Sequence, residues 1–317
     1  MRVAFIGGTN FVGPVAVRAL CEAGHDVAVG HSGRHEADGL PDVEHLHGSW
    51  SQLLSPDGLV ERWRPDALVD TFAGGATAEK AKELGACAER AHGRHIVAIS
   101  SMDVYQHCVD AGMATGEGTR VLARDPIPLR ESARLRSGPY PGGSTEHDNV
   151  AMEGALDGAE RITVLRPGAI YGCHPSTRES FLVSRVAKGQ RHLPLPDGGT
   201  QMWHRVAVER VANAIVAALE RAPEGLWAVN VVDPYDWDYS GLAGRIAELL
   251  DWEWEPARVA FSDEDHPWQT AHPVLVSDAR LREVLRVTEP DPEDALAATI
   301  QWLWAADETE PLSGRRS

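Results

Sequence analysis

Basic residues are scarce in this sequence, and they form no cluster. Among 317 residues, 30 lysines and arginines stand against 47 aspartates and glutamates, which gives a net charge of −17 at pH 7. Nucleic-acid binding needs clustered cations that neutralise phosphates, so the sequence predicts no nucleic-acid partner. Long apolar runs are lacking as well, since no stretch reaches the roughly 18 uncharged apolar residues of a membrane-spanning helix. We therefore expect no membrane association.

Metal-binding and disulfide patterns are also lacking. The sequence contains no CxxC pair and no HExxH or similar spacing among its 14 histidines, so we predict no metal site. The thiols are expected to be reduced, because widely separated cysteines give no disulfide framework; they are Cys21, Cys87, Cys108 and Cys173. The first residues lead directly into a glycine turn, without the apolar core of a signal peptide. The sequence therefore predicts a cytoplasmic protein.

Short runs rich in β-branched residues alternate with segments of helical period through the first half of the chain. This alternation is typical of βαβ units, so we expect an α/β fold with a Rossmann-like, doubly wound parallel sheet. Proline and tryptophan become frequent from residue 172 onward, which predicts a smaller substrate lobe over the carboxyl ends of the strands. The expected boundaries are 1–171 for the Rossmann domain, 172–304 for most of the lobe, with some return to the Rossmann domain, and 305–317 for a flexible tail. The predicted strands are Val3–Ile6, Asp26–Val29, Val43–Leu46, Ala67–Asp70, His95–Ile99 and Ile162–Leu165.

A glycine-rich segment, GGTNFVG at residues 7–13, directly follows the first predicted strand and opens a predicted helix. In this context Gly7 makes a tight turn, Gly13 lets the helix pack close to the strand, and the helix N-terminus offers N–H groups to a pyrophosphate. Asparagine tolerates left-handed backbone angles, so Asn10 is expected to preserve the turn. The predicted dinucleotide contacts are Gly7, Thr9, Asn10, Phe11, Val12 and Gly13.

This segment resembles the GxxGxxG turn of the extended short-chain dehydrogenase/reductase family, with Asn10 in place of the middle glycine. The resemblance continues through SSMDVY at 100–105 and LRPGAIYG at 165–172, and it extends over nearly the whole chain. Within that family the sequence is most similar to the NAD-dependent epimerase/dehydratase group. The resemblance implies further cofactor contacts, which are Thr71, Phe72, Ala73, Ser100, Pro167, Ala169 and Ile170.

The end of the second predicted strand bears on the choice of cofactor. NAD-preferring members of the family carry a carboxylate there, whereas this sequence has His31. Because His31, Ser32 and Arg34 can donate to a 2′-phosphate and no acid repels it, NADP(H) is the predicted cofactor, with NAD(H) as the alternative. A solvated loop charge at Arg34 is the other interpretation of the same residue.

The resemblance implies catalysis by a tyrosine that moves a proton, a lysine four residues later that lowers its pKa, and a serine that orients the substrate oxygen. Ser101 occupies the serine position, but Thr145 and Asn149 stand where the tyrosine and the lysine belong. Threonine is too weak an acid and asparagine carries no charge, so neither replaces the missing group.

Three interpretations of this departure stay open. In the first, Tyr140 reaches in from the preceding loop and replaces the phenol. In the second, His147 or Asp103 supplies the acid/base chemistry, with an imidazole that titrates near neutrality. In the third, the protein transfers no proton, and the chain is a weak or non-redox enzyme or a cofactor sensor.

The predicted substrate side departs from sugar-nucleotide epimerases as well. Trp203 and His204 stand where those enzymes carry an Arg-Asp pair, with Arg205 beside them. An indole stacks on a flat ligand but cannot pair with phosphate, which disfavours a nucleotide sugar. Core packing of Trp203 is an equal alternative. Met102 and Tyr105 complete the predicted substrate contacts.

These observations predict an NADP(H)-binding oxidoreductase or an epimerase/dehydratase-like enzyme. Its expected substrate is a small hydroxyl or carbonyl compound, in specialised biosynthesis, and its proton donor is non-standard. A catalytically silent dinucleotide-binding sensor or interaction protein is the alternative from another class. RNA binding, which occurs among chloroplast relatives in the same group, is disfavoured by the net charge of −17. The resemblance also implies a homodimer.

Overall fold

The computed structural model describes residues 1–34, 36–37, 39–71, 75–90, 94–112, 125–140, 148–156, 160–260 and 270–309. The strands are β1 (Arg2–Ile6), β2 (Asp26–His31), β3 (Glu44–His47), β4 (Ala67–Asp70), β5 (His95–Ile99), β6 (Arg161–Pro167), β7 (Ala169–Tyr171), β8 (His192–Pro196), β9 (Arg205–Ala207), β10 (Gly225–Val231) and β11 (Glu255–Val259). The α-helices are α1 (Val12–Glu22), α2 (Trp50–Leu54), α3 (Leu59–Trp63), α4 (Ala78–Glu89), α5 (Gln106–Asp110), α6 (Asn149–Leu156), α7 (Ser180–Ala187), α8 (Val208–Arg221), α9 (Tyr239–Leu249) and α10 (Pro292–Thr309).

Seven strands form the central sheet, in the order β10-β6-β5-β4-β1-β2-β3. Every neighbouring pair in it is parallel, and helices cover both faces. The prediction of a Rossmann-like α/β fold is therefore confirmed. Strand β10 comes from the second half of the chain and pairs with β6 at one edge, while β3 forms the opposite edge.

The inner strands are apolar on both sides because both faces of the sheet are buried there. On one face Val3, Phe5 and Val29 pack against α1 and α8. On the other face Leu68 and Ile96 join a core with residues from α4 and α6. All five of these side chains are completely buried, so the sheet is fixed rigidly between its two helical layers.

Elements from the second half of the chain form a lobe with a core of its own. Two small parallel pairs, β7 with β9 and β8 with β11, lie in it. Leu182, Leu242 and Leu296 from α7, α9 and α10 meet in its centre. Helix α10 continues to Thr309, past the predicted start of the tail at residue 305. In the part of the chain that the structure describes, no helix has the length and apolar character needed to cross a membrane.

Candidate active site

The glycine turn lies between β1 and α1, at the carboxyl edge of the sheet. Gly7 has a positive φ of 83°, and its N–H donates to the carbonyl of Gly30 at 2.9 Å. A Cβ on Gly13 would lie 2.4 Å from the carbonyl carbon of Gly8. Only glycine allows this close approach of α1 to the turn. Helix α1 begins without a side-chain cap, although the Gly13 N–H donates to the Asn10 carbonyl at 2.8 Å. An uncapped helix N-terminus beside a glycine turn is the kind of place that binds a pyrophosphate.

The left-handed position of the turn differs from the expectation. Phe11, not Asn10, has the positive φ, with φ 40° and ψ −90°. The Phe11 ring stacks on His174 from the lobe, with ring centroids 4.6 Å apart, and Nε2 of His174 lies 3.1 Å from Oδ1 of Asn10. Backbone strain of this kind costs on the order of 1–3 kcal/mol. The stacking contact, worth about 0.5–1.5 kcal/mol, offsets part of that cost.

Other predicted cofactor residues have different environments. The Thr71 hydroxyl, at the end of β4, lies 3.4 Å from the carbonyl oxygens of Ile6 and Gly7, which places it beside the turn. The Ser100 hydroxyl instead donates to buried Glu153 at 2.6 Å. The Ser100 hydroxyl is therefore bonded inside the protein, and we correct the expectation that it contacts the cofactor. Phe72 and Ala73 lie outside the described residues.

The end of β2 also differs from the expectation. Ser32 and Arg34 are exposed, and the Ser32 hydroxyl accepts from the Arg34 backbone N–H at 3.4 Å. His31 is only 7% exposed. Its Nε2 lies 2.8 Å from Nδ1 of His45 on β3, so the imidazole turns toward the neighbouring strand rather than outward. Of the three residues predicted to bind a 2′-phosphate, Ser32 and Arg34 are accessible to a ligand, whereas His31 is buried.

A cavity of about 340 Å³ opens at the carboxyl ends of β5 and β6. It brings together several of the predicted catalytic and substrate residues, although they come from separate segments. Pro167 lies just before it, buried in β6. The lining residues are Ser101, Met102, Asp103, Tyr140, Gly168, Ala169, Ile170, Arg178 and Trp203.

Ser101 caps a short 3₁₀ turn, Met102–Val104, at the end of β5. Its Oγ accepts a hydrogen bond from the Asp103 backbone N–H at 3.1 Å. A hydroxyl has one donor and two acceptor sites, so this bond leaves the Ser101 proton for a group in the cavity.

Asp103 is held from two sides. Arg136 approaches its carboxylate at 3.3 Å through Nη2 and donates to its backbone carbonyl at 2.6 Å through Nε. Asn149, at the start of α6, lies 3.3 Å from both carboxylate oxygens through Nδ2. Asn149 thus does not line the cavity but positions Asp103. The carboxylate of Asp103 is engaged as a charge partner and hydrogen-bond acceptor.

Tyr140 lines the same cavity as Ser101, as the first interpretation of the sequence required. Burial raises the pKa of Tyr140 above its usual value, Cys108 and Asp103 add to the rise, and Arg136 and Arg178 oppose it. The guanidinium carbon of Arg136 lies 5.3 Å from the centre of the Tyr140 ring. A phenol with a raised pKa stays protonated at neutral pH but is a weaker acid than free tyrosine, so proton donation by Tyr140 relies on Arg136 and Arg178, which oppose the rise.

Arg178 is a cavity residue that the sequence analysis missed. Its guanidinium carbon lies 4.1 Å from the centre of the Trp203 ring, and burial lowers the pKa of the guanidinium. Trp203 is half-buried at the cavity wall, and both its indole and the guanidinium of Arg178 line the cavity. The one available signal was position, because Arg178 is the only arginine between the LRPGAIYG segment and α7.

The structure places three predicted substrate contacts in the interior, where their side chains bind other groups of the protein. Tyr105 is 0% exposed, and its hydroxyl donates to Asn230 at 2.5 Å. Arg205 is 2% exposed and forms an ion pair with Glu179 at 2.8 Å. Both ring nitrogens of His204 bond to backbone groups, and burial lowers the pKa of its imidazole.

Two predicted catalytic residues, Thr145 and His147, lie outside the described residues. The interpretation in which His147 supplies the acid/base chemistry therefore stays a prediction.

Solved structures with similar folds include three enzymes or enzyme complexes. MoeE5 in complex with UDP-glucuronic acid and NAD has a TM-score of 0.71 and 18% identity, covering 96% of this chain and 100% of its own. UDP-glucose 4-epimerase from Thermotoga maritima has a TM-score of 0.71 and 16% identity, covering 98% and 100%. The dTDP-glucose 4,6-dehydratase from Bacillus anthracis, in complex with NAD, has a TM-score of 0.71 and 15% identity, covering 98% and 99%.

No family model and no curated protein matches the sequence. The similarity covers nearly the full length of this chain and of each solved structure. It agrees with the resemblance found in the sequence, from the glycine turn to the LRPGAIYG segment. The chain has the fold of the NAD-dependent epimerases and dehydratases.

Proposed function

We propose that the chain is an NADP(H)-dependent oxidoreductase of epimerase/dehydratase fold that reduces the carbonyl group of a small compound. This proposal rests on one observation: Ser101, Tyr140 and Arg178 line the same cavity. A hydroxyl donor, a protonated phenol and a cation are the groups that a carbonyl reduction uses. A nicotinamide dinucleotide supplies the hydride when it is bound.

The glycine turn fits such a cofactor on steric grounds. The space over the turn exists because Gly13 carries no Cβ, which would lie 2.4 Å from the Gly8 backbone. Phosphate oxygens approach backbone N–H groups closely only at such positions. Solved structures of similar fold are described with NAD, which supports a nicotinamide dinucleotide here.

In the proposed mechanism, Ser101 donates a hydrogen bond to the substrate carbonyl oxygen and orients it. When the carbonyl is reduced, Tyr140 would give its phenolic proton to the carbonyl oxygen, so that the product is an alcohol. The Arg136 guanidinium, 5.3 Å from the Tyr140 ring centre, stabilises the phenolate until solvent returns the proton. Arg136 thereby supplies the positive charge that Asn149, at the lysine position, lacks.

NADP(H) is the proposed form of the cofactor. Ser32 and Arg34 are exposed at the end of β2, at the carboxyl edge where the ribose of a bound dinucleotide lies in this fold. A guanidinium and a hydroxyl at that place stabilise a 2′-phosphate through charge-assisted hydrogen bonds. Titration with NADPH and NADH, followed by energy transfer from tryptophan, measures this preference.

The cavity also indicates the kind of substrate. At about 340 Å³ it lies near the lower end of ligand-pocket sizes, which favours a small molecule. Arg178 and Trp203 form a wall with a cation against an aromatic face. We propose a carbonyl compound that carries an anionic group, such as a carboxylate or a phosphate ester. A nucleotide sugar is the second candidate, because UDP-glucose and UDP-glucuronic acid are bound by proteins of similar fold.

The test is a screen of carbonyl compounds for consumption of NADPH, repeated with Ser101→Ala and Tyr140→Phe. Loss of a positioned proton donor costs roughly 10²–10⁴ in rate. We expect Tyr140→Phe to show a loss of that size with unchanged NADPH affinity. Tyr235→Phe is the matched control, because Tyr235 is exposed and lies outside the cavity. Full activity of Tyr140→Phe would refute the proposed donor, and full activity of Ser101→Ala would refute the proposed role of Ser101.

A catalytically silent dinucleotide sensor is the second candidate function. It is favoured by Asn149, which bonds to Asp103 and brings no cation to the cavity. The two functions separate on turnover. A sensor binds NADPH but consumes none with any anionic or neutral carbonyl compound. The homodimer and the cytoplasmic location stay predictions.

A further inference from the structure

Three histidines and a glutamate converge at the edge of the sheet, away from the catalytic cavity. Nε2 of His31 and Nδ1 of His45 are 2.8 Å apart. Oε2 of Glu36 lies 3.2 Å from Nδ1 of His45, and Oε1 of Glu36 lies 3.2 Å from Nε2 of His47. One nitrogen or oxygen from each of the four residues lies within 4.8 Å of every other. This group is called the His31 cluster below.

The backbone explains why these side chains meet. In the parallel pairing of β2 with β3, His31 is opposite His47. Side chains alternate along a strand, so His45 and His47 share one face while Leu46 points to the other. Leu46 accordingly lies in the core at 6% exposure. The three imidazoles therefore stand on the same face of neighbouring strands, and Glu36 comes from the loop between them.

The spacing of the donor atoms matches that of a tetrahedral metal ion. With metal–ligand bonds of about 2.0–2.1 Å, the ligands of a tetrahedral Zn²⁺ are about 3.3 Å apart. Four contacts in the His31 cluster run from 2.8 Å to 3.8 Å, through both oxygens of Glu36. With one donor atom from each residue the set spans up to 4.8 Å, so the side chains would draw together around an ion. Three imidazoles with one carboxylate suit Zn²⁺, whereas Mg²⁺ and Ca²⁺ prefer oxygen ligands. We infer that His31, Glu36, His45 and His47 bind one Zn²⁺ as a closed, four-residue site.

Hydrogen bonds are the competing account of the same contacts. At 2.8 Å, His31 and His45 share a proton when no metal lies between them. Nδ1 of His31 then accepts a long 3.3 Å bond from the Gly33 N–H. When a metal binds Nε2 of His31, the imidazole proton moves to Nδ1, and Nδ1 no longer accepts the bond from the Gly33 N–H. Because metal ligation needs lone pairs on all three imidazoles at once, a metal and a shared proton exclude each other.

The site has a structural use. Strand β3 is an edge strand, and among its four residues only Leu46 is buried. A Zn²⁺ held by residues from β2, from β3 and from the loop at Glu36 would cross-link this edge strand to its neighbour β2. The zinc site shares no residue with the catalytic cavity. It adjoins Ser32 and Arg34 at the proposed 2′-phosphate position, so its test is made on metal binding alone, without nucleotide or turnover.

The test is metal binding by the full chain, with no nucleotide or substrate present. After removal of metals with a chelator, Zn²⁺ is titrated against a chromophoric competitor, and metal retained after dialysis is counted. We expect one tightly held Zn²⁺ per chain. Co²⁺ in its place should give the intense visible bands of tetrahedral coordination. Thermal unfolding should shift upward with Zn²⁺, since a ligand of the native state stabilises it.

Two variants assign the metal to the His31 cluster. His47 and Glu36 have side chains 53% and 56% exposed, so His47→Ala and Glu36→Gln should leave the fold intact, as circular dichroism checks. Even residues that only support metal ligands contribute about 10–100-fold to affinity, so each variant should weaken Zn²⁺ binding at least tenfold. His192→Ala, at an exposed histidine on β8, is the control and should change nothing. Affinity unmoved by His47→Ala and Glu36→Gln, or no retained Zn²⁺ in the unaltered chain, would overturn the inference.

Discussion

The glycine turn and the catalytic cavity are built in different ways. The turn consists of seven consecutive residues, and its shape depends on backbone contacts such as the 2.4 Å approach that a Cβ on Gly13 would make. The cavity is assembled from side chains of separate segments, with Ser101, Tyr140 and Arg178 as its polar groups. The turn follows the pattern of dinucleotide-binding folds closely, and the cavity does not. A backbone shape allows few replacements, whereas a proton donor can be supplied from any segment that reaches the same space.

The largest effect is expected where the backbone leaves no room. Gly13→Ala places a methyl group against the Gly8 carbonyl, so α1 must move away from the turn. We expect dinucleotide binding to be lost and unfolding to occur at lower denaturant concentration, by fluorescence titration and urea unfolding. Gly154→Ala in α6 is the matched control, because a Cβ there meets nothing within 4 Å. Equal effects of the two substitutions would remove the distinction between turn and cavity.

The cavity should respond to a charge change without loss of the fold. Arg178→Met removes the cation beside Trp203 and keeps much of the side-chain length. A hydrogen bond to a charged group contributes about 1.5–3 kcal/mol, so KM for an anionic carbonyl substrate should rise roughly tenfold to hundredfold, while kcat for a neutral one changes little. Steady-state kinetics on both substrates measure this split, with Arg258→Met on the exposed part of β11 as the control. An unchanged KM would show that Arg178 packs against Trp203 without meeting the substrate.

The end of β2 should give a smaller and more selective effect. Arg34→Ala is expected to weaken NADPH binding about tenfold and to leave NADH binding unchanged, because only the former carries a 2′-phosphate. Titrations with both nucleotides check this, and Arg62→Ala, at an exposed arginine on α3, is the control. If both affinities stay the same, Arg34 is a solvated loop charge and the preference for NADP(H) is refuted.

The smallest effect is expected from the stacking contact between the turn and the lobe. His174 stacks on Phe11 and approaches Asn10, so His174→Ala removes one stacking contact of about 0.5–1.5 kcal/mol. We expect a modest loss of stability and a dinucleotide affinity within about threefold of the original. A loss as complete as that of Gly13→Ala would show that the lobe, and not only the backbone, maintains the turn.

The sequence predicts most of what is local. Short apolar runs predict six of the seven strands of the sheet, β1 to β6, because burial on both faces favours such runs in its inner strands, and the glycine pattern predicts the turn. Tyr140 is proposed from the sequence as one alternative, and the structure brings it to the cavity with Ser101. The strands and the turn need only neighbouring residues, which is why pattern and spacing suffice for them, whereas the sequence leaves Tyr140 as one of several alternatives.

The rest depends on meetings between distant segments. Arg205 resembles a substrate cation in the sequence, yet Glu179 and Asp236 neutralise it in the interior. Conversely, the histidines of the His31 cluster carry no metal motif, because strand pairing rather than spacing brings His31 beside His47. Which charge is buried and paired, and which faces a ligand, is set by tertiary contacts that no local pattern records.

The most direct test of the proposed proton donor is the pH dependence of kcat/KM for carbonyl reduction, which reports groups of the free enzyme. Tyr140 must be protonated to act, so the rate is present below its pKa and is lost above it. Because burial raises that pKa from an ordinary value of about 10, we expect a flat profile through neutrality and a decline only above about pH 10. Tyr140→Phe should lose this alkaline decline along with most of the rate. A decline centred near pH 6.5, the ordinary range of an imidazole, and retained in Tyr140→Phe would contradict the account and favour His147 as the donor.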